Sequence, residues 1–223
     1  MPAVVEWGRR DYAESLAAMR ALVHARREGS IDDTLILVEH PPVVTVGVEG
    51  DDGSAATSGL PVVNVERGGR ATYHGPGQLV GYPIVDLEPR GRDVRRFVHD
   101  VEELVVRSVA RFGVVAGHVS GRRGVWVGGE RKIGSIGIAV DHWVTFHGFA
   151  LNVDPDLASF ERFRPCGFPG SVMTSLSREI GRPVELVEAI PPTIEAWQEV
   201  FAHRPTGADA SVPAREAAPP VRT

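Results

Sequence analysis

Three short segments carry side chains suited to covalent or proton-transfer chemistry. The first holds the only cysteine, Cys166, between Pro165 and Gly167 in a run that ends at Gly170. A cysteine inside an apolar run is usually a small hydrophobe. A turn flanked by proline and glycine instead projects the thiol outward, as a nucleophile requires. The second segment, Gly128–Gly137, holds the only lysine, Lys132; all but one of the chain's 24 basic residues are arginine. A guanidinium stays charged and cannot accept a proton at neutral pH, whereas a desolvated lysine can. On a strand Lys132, Gly134, Ile136 and Ile138 share a face, with Gly134 leaving room beside the lysine.

The third segment runs from Arg67 to Gln78 and interleaves four glycines with Arg67, Arg70, Thr72, Tyr73 and His74. Glycine lets backbone approach a ligand closely, and such a loop presents N–H donors to a carbonyl or phosphate. It does not match G-x-x-x-x-G-K-[ST], and no helix start follows it, so a nucleotide phosphate loop is not expected. His74 here and His147 in Thr145–Ala150 leave a Cys–His pair open as a competing arrangement.

The elements that must position these segments are legible from periodicity and punctuation. Asp11 caps a helix with Tyr12, Leu16, Met19 and Val23 on one face, closed at Glu28-Gly29. Asp93 caps a second, with Phe97, Val101, Leu104, Val105 and Phe112 on or near one side. Pro191-Pro192 and Thr193 open a third, carrying Ile194, Trp197, Val200 and Phe201. Strands are expected at Leu35–Val38, Val43–Val46, Val62–Glu66 and Tyr82–Leu87. Consecutive strands then run from Val125 to Val153, turning at Gly128-Gly129 and Asp141-His142. Pro165–Gly170 reads as a tight loop. Helices and strands mix without regular βαβ alternation, which indicates an α+β (mixed α/β) fold with largely antiparallel pairing.

At 223 residues the chain suits one domain, expected over residues 1–204, followed by an Ala/Pro-rich tail, 205–223, expected to be disordered. The net charge of −5 asks for neither nucleic acid nor an anionic membrane as partner. No apolar run marks a signal peptide, and none approaches the roughly 18 residues of a membrane span. One cysteine cannot form an internal disulfide, so a reducing cytoplasm is the expected location.

Taken in order, Arg67–Leu87, Lys132–Gly137, His147–Val153 and Pro165-Cys166-Gly167 resemble the lipoyl(octanoyl) transferase family, and the likeness runs through most of residues 5–200. The resemblance implies the fold shared by lipoate- and biotin-protein ligases, a mixed, mostly antiparallel sheet with flanking helices. It implies that Cys166 carries the acyl group as a thioester. Lys132 then favours the thiolate or acts as base. Arg67, Gly68, Gly69, Arg70, Ala71, Thr72, Tyr73 and His74, together with Ser135, Ile136, Gly137, Gly148, Phe149 and Ala150, would line the acyl site. The implied donor is octanoyl-acyl carrier protein. The implied acceptors are lipoyl domains of 2-oxoacid dehydrogenase E2 subunits and of the glycine cleavage H protein. No cofactor and no metal are expected. Arg70 departs from the family's usual neutral residue in the loop, and Ser135-Ile136-Gly137 from its commoner alanine-rich version.

The chemistry stands beside the resemblance. A thioester and a thiol exchange acyl groups with little net free energy change, and passage to an amine is downhill without ATP. An ammonium about 4 Å from a thiolate favours it by roughly 4 kcal/mol at an effective dielectric of 20. Backbone N–H groups near Gly167 or in Gly75–Gly77 are candidates to hold the oxyanion. Arg67, Arg70, Arg122, Arg123, Arg131 and Arg164 are candidates for a basic docking patch. Three other readings remain open at this point. One is an ATP-dependent lipoate ligase in which Lys132 binds the adenylate. Another is a thioester hydrolase pairing Cys166 with His147 or His74. The last is a non-catalytic acyl-binding module.

Overall fold

A computed structural model describes residues 2–201 apart from Arg164, with Cys166 described through its backbone. The expected tail, 205–223, lies outside the described residues.

A seven-stranded sheet forms the frame, in the order β1 (Ala3–Arg9), β2 (Thr34–Glu39), β6 (Gln78–Ile84), β10 (Val144–Asn152), β9 (Arg131–Asp141), β8 (Arg122–Val127), β7 (Ala116–Val119). Only β1 and β2 run parallel; the other neighbours are antiparallel. A three-stranded sheet, β4 (Val62–Asn64), β3 (Val43–Val46), β5 (Ala71–His74), stands apart from it. Four α-helices, α1 (Tyr12–Arg27), α2 (Val94–Ala110), α3 (Leu176–Ile180) and α4 (Leu186–Phe201), and five short 3₁₀ segments complete the described elements.

The α+β class and antiparallel pairing agree with the sequence reading. Asp11 caps α1 by accepting the N–H groups of Ala13 and Glu14, and Asp93 caps α2 by accepting that of Arg96. The apolar stripe of α2 (Phe97, Val101, Leu104, Val105, Val109) packs with α4 and with Ile133, Ile136, Phe149 and Leu151 of the sheet. Full burial of each such side chain contributes about 1.5–3 kcal/mol. On the opposite face, Tyr12, Leu16, Met19 and Val23 of α1 cover Ile36, Val38, Val80, Tyr82 and Ala150. The central strands are thus buried on both faces.

Four expectations need correcting, the first being the strand at Tyr82–Leu87, which begins earlier and ends at Ile84. Pro191-Pro192 do not open the last helix; they lie inside α4, which starts at Leu186. Each proline lacks an N–H, so the carbonyls four residues back, on Val187 and Glu188, have no helical donor there; both residues are exposed to solvent. The glycine-rich segment is not loop throughout, because Ala71–His74 forms β5 and Gln78 already begins β6. Val62–Glu66 is a strand only to Asn64.

Candidate active site

Lys132 sits at the start of β9, beside an irregularity. Val125 pairs with Gly134 and the next residue, Trp126, pairs with Lys132, so β9 carries one extra residue, Ile133. Such a bulge resets the alternation of side chains. Ile133 joins the core under α2, and a Cβ at Gly134 would meet Val105 and Val125 at 3.0 and 3.3 Å. Gly134 therefore faces the helix layer. Lys132 lies instead beside a cavity that Ser135, Ile136 and Gly137 also line.

The room beside the lysine comes from Gly124. A Cβ there would fall 2.6 Å from Lys132 Cε and 3.3 Å from Nζ, and the residue has φ +110, which only glycine adopts readily. Lys132 is only 2 % exposed. Its Nζ lies 5.6 Å from the centroid of Trp126 and 6.0 Å from that of Phe168. The faces of aromatic rings attract a cation, more strongly where water is excluded.

Phe168 follows Cys166 by two residues, so the aromatic contact ties the cysteine turn to the lysine. The turn is a short 3₁₀ segment, Pro165–Gly167. Gly167 and Phe168 line the same cavity as Lys132. The chain is fixed again further on: Met173 bridges to Lys132 in parallel, and the Thr174 N–H donates to the Lys132 carbonyl at 2.9 Å. Arg70 lies over the turn, with Nη1 3.4 Å and Cδ 3.6 Å from the position a Cβ on Gly167 would take.

The cavity holds about 690 Å³, within the range of small-molecule sites. Of the residues expected to line it, Arg67, Gly69, Arg70, Thr72, His74, Ser135, Ile136, Gly137, Gly148, Phe149 and Ala150 do so. Ala71 and Tyr73 do not. They alternate with Thr72 and His74 along β5 and point the other way, where Tyr73 packs edge-on against Phe160 at 5.2 Å. Gly68 is also absent from the wall; its N–H donates to the Ile138 carbonyl, which pins the loop to β9.

Arg67 is 6 % exposed. Its guanidinium donates to the carbonyls of Thr45, Arg70 and Gly68 and to the Thr45 hydroxyl. Its stem lies against Gly137, where a Cβ would stand 2.7 Å from Arg67 Cδ. Arg67 thus holds the loop against the sheet. Arg131 is engaged elsewhere, donating twice to Glu179. Arg70, Arg122 and Arg123 reach the cavity, and Arg123 pairs with Glu49 at 3.1 Å. The N–H of Gly77 is taken by the Glu39 carboxylate at 2.9 Å, which removes it as an oxyanion donor.

His74 and His147 belong to a buried polar cluster at the inner end of the cavity. Tyr12 stacks on His74 at 5.8 Å, and its hydroxyl lies 3.4 Å from His147 Nδ1. His40 hydrogen-bonds the Tyr82 hydroxyl at 2.7 Å. Burial holds His74 well below the usual imidazole range, with His40 and Arg67 adding to the effect. Burial likewise pushes His147 down to about 4, against the opposing pull of Glu66. Both rings are therefore neutral at pH 7. Sequence reasoning missed Tyr12 and Tyr82 as cavity residues, because each has the spacing of an ordinary core side chain. It missed Gly124 because nothing local links that residue to Lys132.

Residues 11–198 match the lipoyl protein ligase A/B catalytic domain family. An octanoyltransferase of Geobacter sulfurreducens is 47 % identical over 186 residues, covering 83 % of this chain and 79 % of the relative. An octanoyltransferase of Rhodospirillum rubrum is 44 % identical over 200 residues, covering 87 % and 92 %. Among solved structures, a lipoate-protein ligase A bound with ATP superposes with a TM-score of 0.75 at 19 % identity, covering 91 % of this chain and 86 % of that one. A biotin protein ligase from Aquifex aeolicus superposes at 0.52 and 10 % identity, covering 91 % and 70 %. The last two likenesses speak to the fold, which is the one expected. With the family model spanning most of the chain and relatives above 40 % identity, the chain belongs to the octanoyltransferase family and is an acyltransferase.

Proposed function

We propose that this enzyme transfers an octanoyl group from octanoyl-acyl carrier protein to a lysine of a lipoyl domain, through a thioester on Cys166. The observation that carries the reading is the placement of the chain's only lysine. It is buried in a cavity whose wall continues into Gly167 and Phe168, next to its only cysteine.

In the first half-reaction the Cys166 thiolate attacks the donor's thioester carbonyl. A C–S bond to Cys166 forms, the C–S bond to the carrier breaks, and the leaving thiolate takes a proton from the Lys132 ammonium. In the second, the acceptor amine attacks the Cys166 thioester. A C–N bond forms, the bond to Cys166 breaks, and neutral Lys132 takes the amine's proton. One residue serves both halves because it is charged in the first and neutral in the second. Ile136, Phe149 and Val80 supply apolar wall for the acyl chain, each buried CH₂ contributing up to about 0.8 kcal/mol. Arg70 and Arg122 at the cavity suit acidic carrier and lipoyl domains as partners. A reducing cytoplasm suits a free nucleophilic thiol.

The test is to mix the protein with octanoyl-acyl carrier protein and measure the mass of the Cys166 peptide. An octanoyl adduct that disappears on adding a lipoyl domain is expected. Undiminished transfer by Cys166→Ser would sink the proposal. Transfer that requires free octanoate plus ATP would assign the chain to the ligase reaction instead.

A further inference from the structure

We infer that His99, Glu102 and His118 form a binding site for one divalent transition-metal ion, zinc being the best match. The inference is independent of the proposed acyl transfer. His99 and Glu102 are three residues apart on α2 and so share a face. His118 lies on β7, the edge strand that α2 packs against. The two imidazole rings are 4.6 Å apart between centroids. His118 Nδ1 is 3.0 Å from Glu102 Oε2. One donor atom from each of the three residues lies within 4.8 Å of the other two. Ligands about 2.0–2.1 Å from a tetrahedral zinc stand about 3.3 Å apart, so closing the site needs only small side-chain rotations.

Two neighbours act as the outer partners that metal ligands normally have. The second oxygen of Glu102, Oε1, accepts the Gly124 N–H at 2.8 Å, which fixes the carboxylate plane. The other nitrogen of His118, Nε2, lies 3.8 Å from Glu103 Oε2. With Nδ1 on the metal, Nε2 carries the proton and points it at a carboxylate. An ordinary surface ion pair would account for His118 and Glu102. It would not account for a second imidazole ring beside the first, with a donor atom within 4.8 Å of the same carboxylate.

Two imidazoles and one carboxylate are the donor set of a three-ligand zinc site with an open fourth position. His99 and His118 are exposed, so water can complete the coordination. The ion would join α2 to β7 and, through Glu102, to Gly124 beside Lys132. Sequence reading passed over the set because His118 lies 16 residues beyond Glu102.

The test uses the full chain carrying Cys166→Ala, so that the thiol does not compete for metal. Titration with zinc should show one bound ion per chain. Cobalt(II) should give the visible bands of a four- or five-coordinate site. His118→Ala and, separately, His99→Ala should each weaken zinc binding at least about 100-fold and abolish those bands. Both are surface substitutions, and circular dichroism should be unchanged. Retention of stoichiometric binding in both variants, or octahedral cobalt spectra throughout, would overturn the assignment.

Discussion

The backbone N–H of Thr174 donates to the carbonyl of Lys132. This bond closes a loop in the chain: after Lys132 the polypeptide completes β9 and β10, passes through the cysteine turn, and returns to the residue it left. Thr174 is itself held from the sheet. Asn152 Nδ2 donates to the Thr174 carbonyl at 2.9 Å, and Gln78 Nε2 donates to Asn152 Oδ1 at 2.9 Å. The ladder from Gln78 through Asn152 to Thr174 fixes where the cysteine segment lies relative to Lys132.

Replacing Asn152 by Leu should therefore harm activity more than stability. The substitution strands the buried Gln78 amide and the Thr174 carbonyl, at a cost of about 1–3 kcal/mol for each unsatisfied group. Acyl loading of Cys166 should slow by more than tenfold even at temperatures where the variant is fully folded. Stopped-flow acylation beside a urea melt separates the two effects. Normal loading in a destabilised variant would reduce the ladder to a packing feature.

Two glycines near the lysine make opposite predictions. Gly124→Ala places a methyl group against Lys132 Cε and forces alanine into positive φ. It should displace the ammonium and cut kcat at least tenfold, besides a backbone cost of about 1–3 kcal/mol. Gly134→Ala presses on Val105 and Val125, on the helix side of the sheet. It should lower the melting temperature while leaving KM and kcat near those of the parent. Equal losses of activity in both variants would contradict the placement of Lys132.

That contrast marks how far the site was readable from sequence. The strand, its lysine and the glycines around it follow from local pattern. The bulge at Ile133 does not, because it arises where β8 and β9 pair, and it moved Gly134 away from the lysine. The same limit applied to β5, where Thr72 and His74 line the cavity but Ala71 and Tyr73 face Phe160. A glycine-rich run hides the period-2 signal that would have separated them. The capped helices α1 and α2 were legible because their start signals are local. The extent of α4 was not, since tertiary packing outweighed its prolines.

The buried histidines predict acid sensitivity. A histidine in the unfolded chain titrates near 6.5, whereas His147 in the folded protein titrates at about 4. Between these values the unfolded state binds more protons, so stability falls as pH falls. The loss from His147 therefore builds up as pH falls from about 7 toward 4. His40 and His74, also lowered by burial, act in the same direction. His147→Asn should flatten the dependence, and asparagine tolerates the positive φ of 56° at this position. Urea unfolding at pH 7.5 and 5 gives the comparison, and an unchanged slope in the variant would rule His147 out as a source.

The two-step role proposed for Lys132 is tested by separating charge from basicity. Lys132→Arg keeps a cation beside the cysteine turn but removes a group able to accept a proton at neutral pH. Octanoyl-Cys166 should still form, more slowly, and should then accumulate because transfer to the lipoyl lysine is lost by a factor of about 10²–10⁴. Lys132→Gln removes the charge as well, so acyl loading should also collapse. The discriminating measurement is single-turnover mass spectrometry of the Cys166 peptide, with and without acceptor. If the arginine variant turns over at the parent rate, the proton acceptor of the second step lies elsewhere. If the arginine and glutamine variants load equally slowly, the ammonium has no electrostatic part in forming the thiolate. Accumulation in the arginine variant alone is the result that gives one residue both tasks.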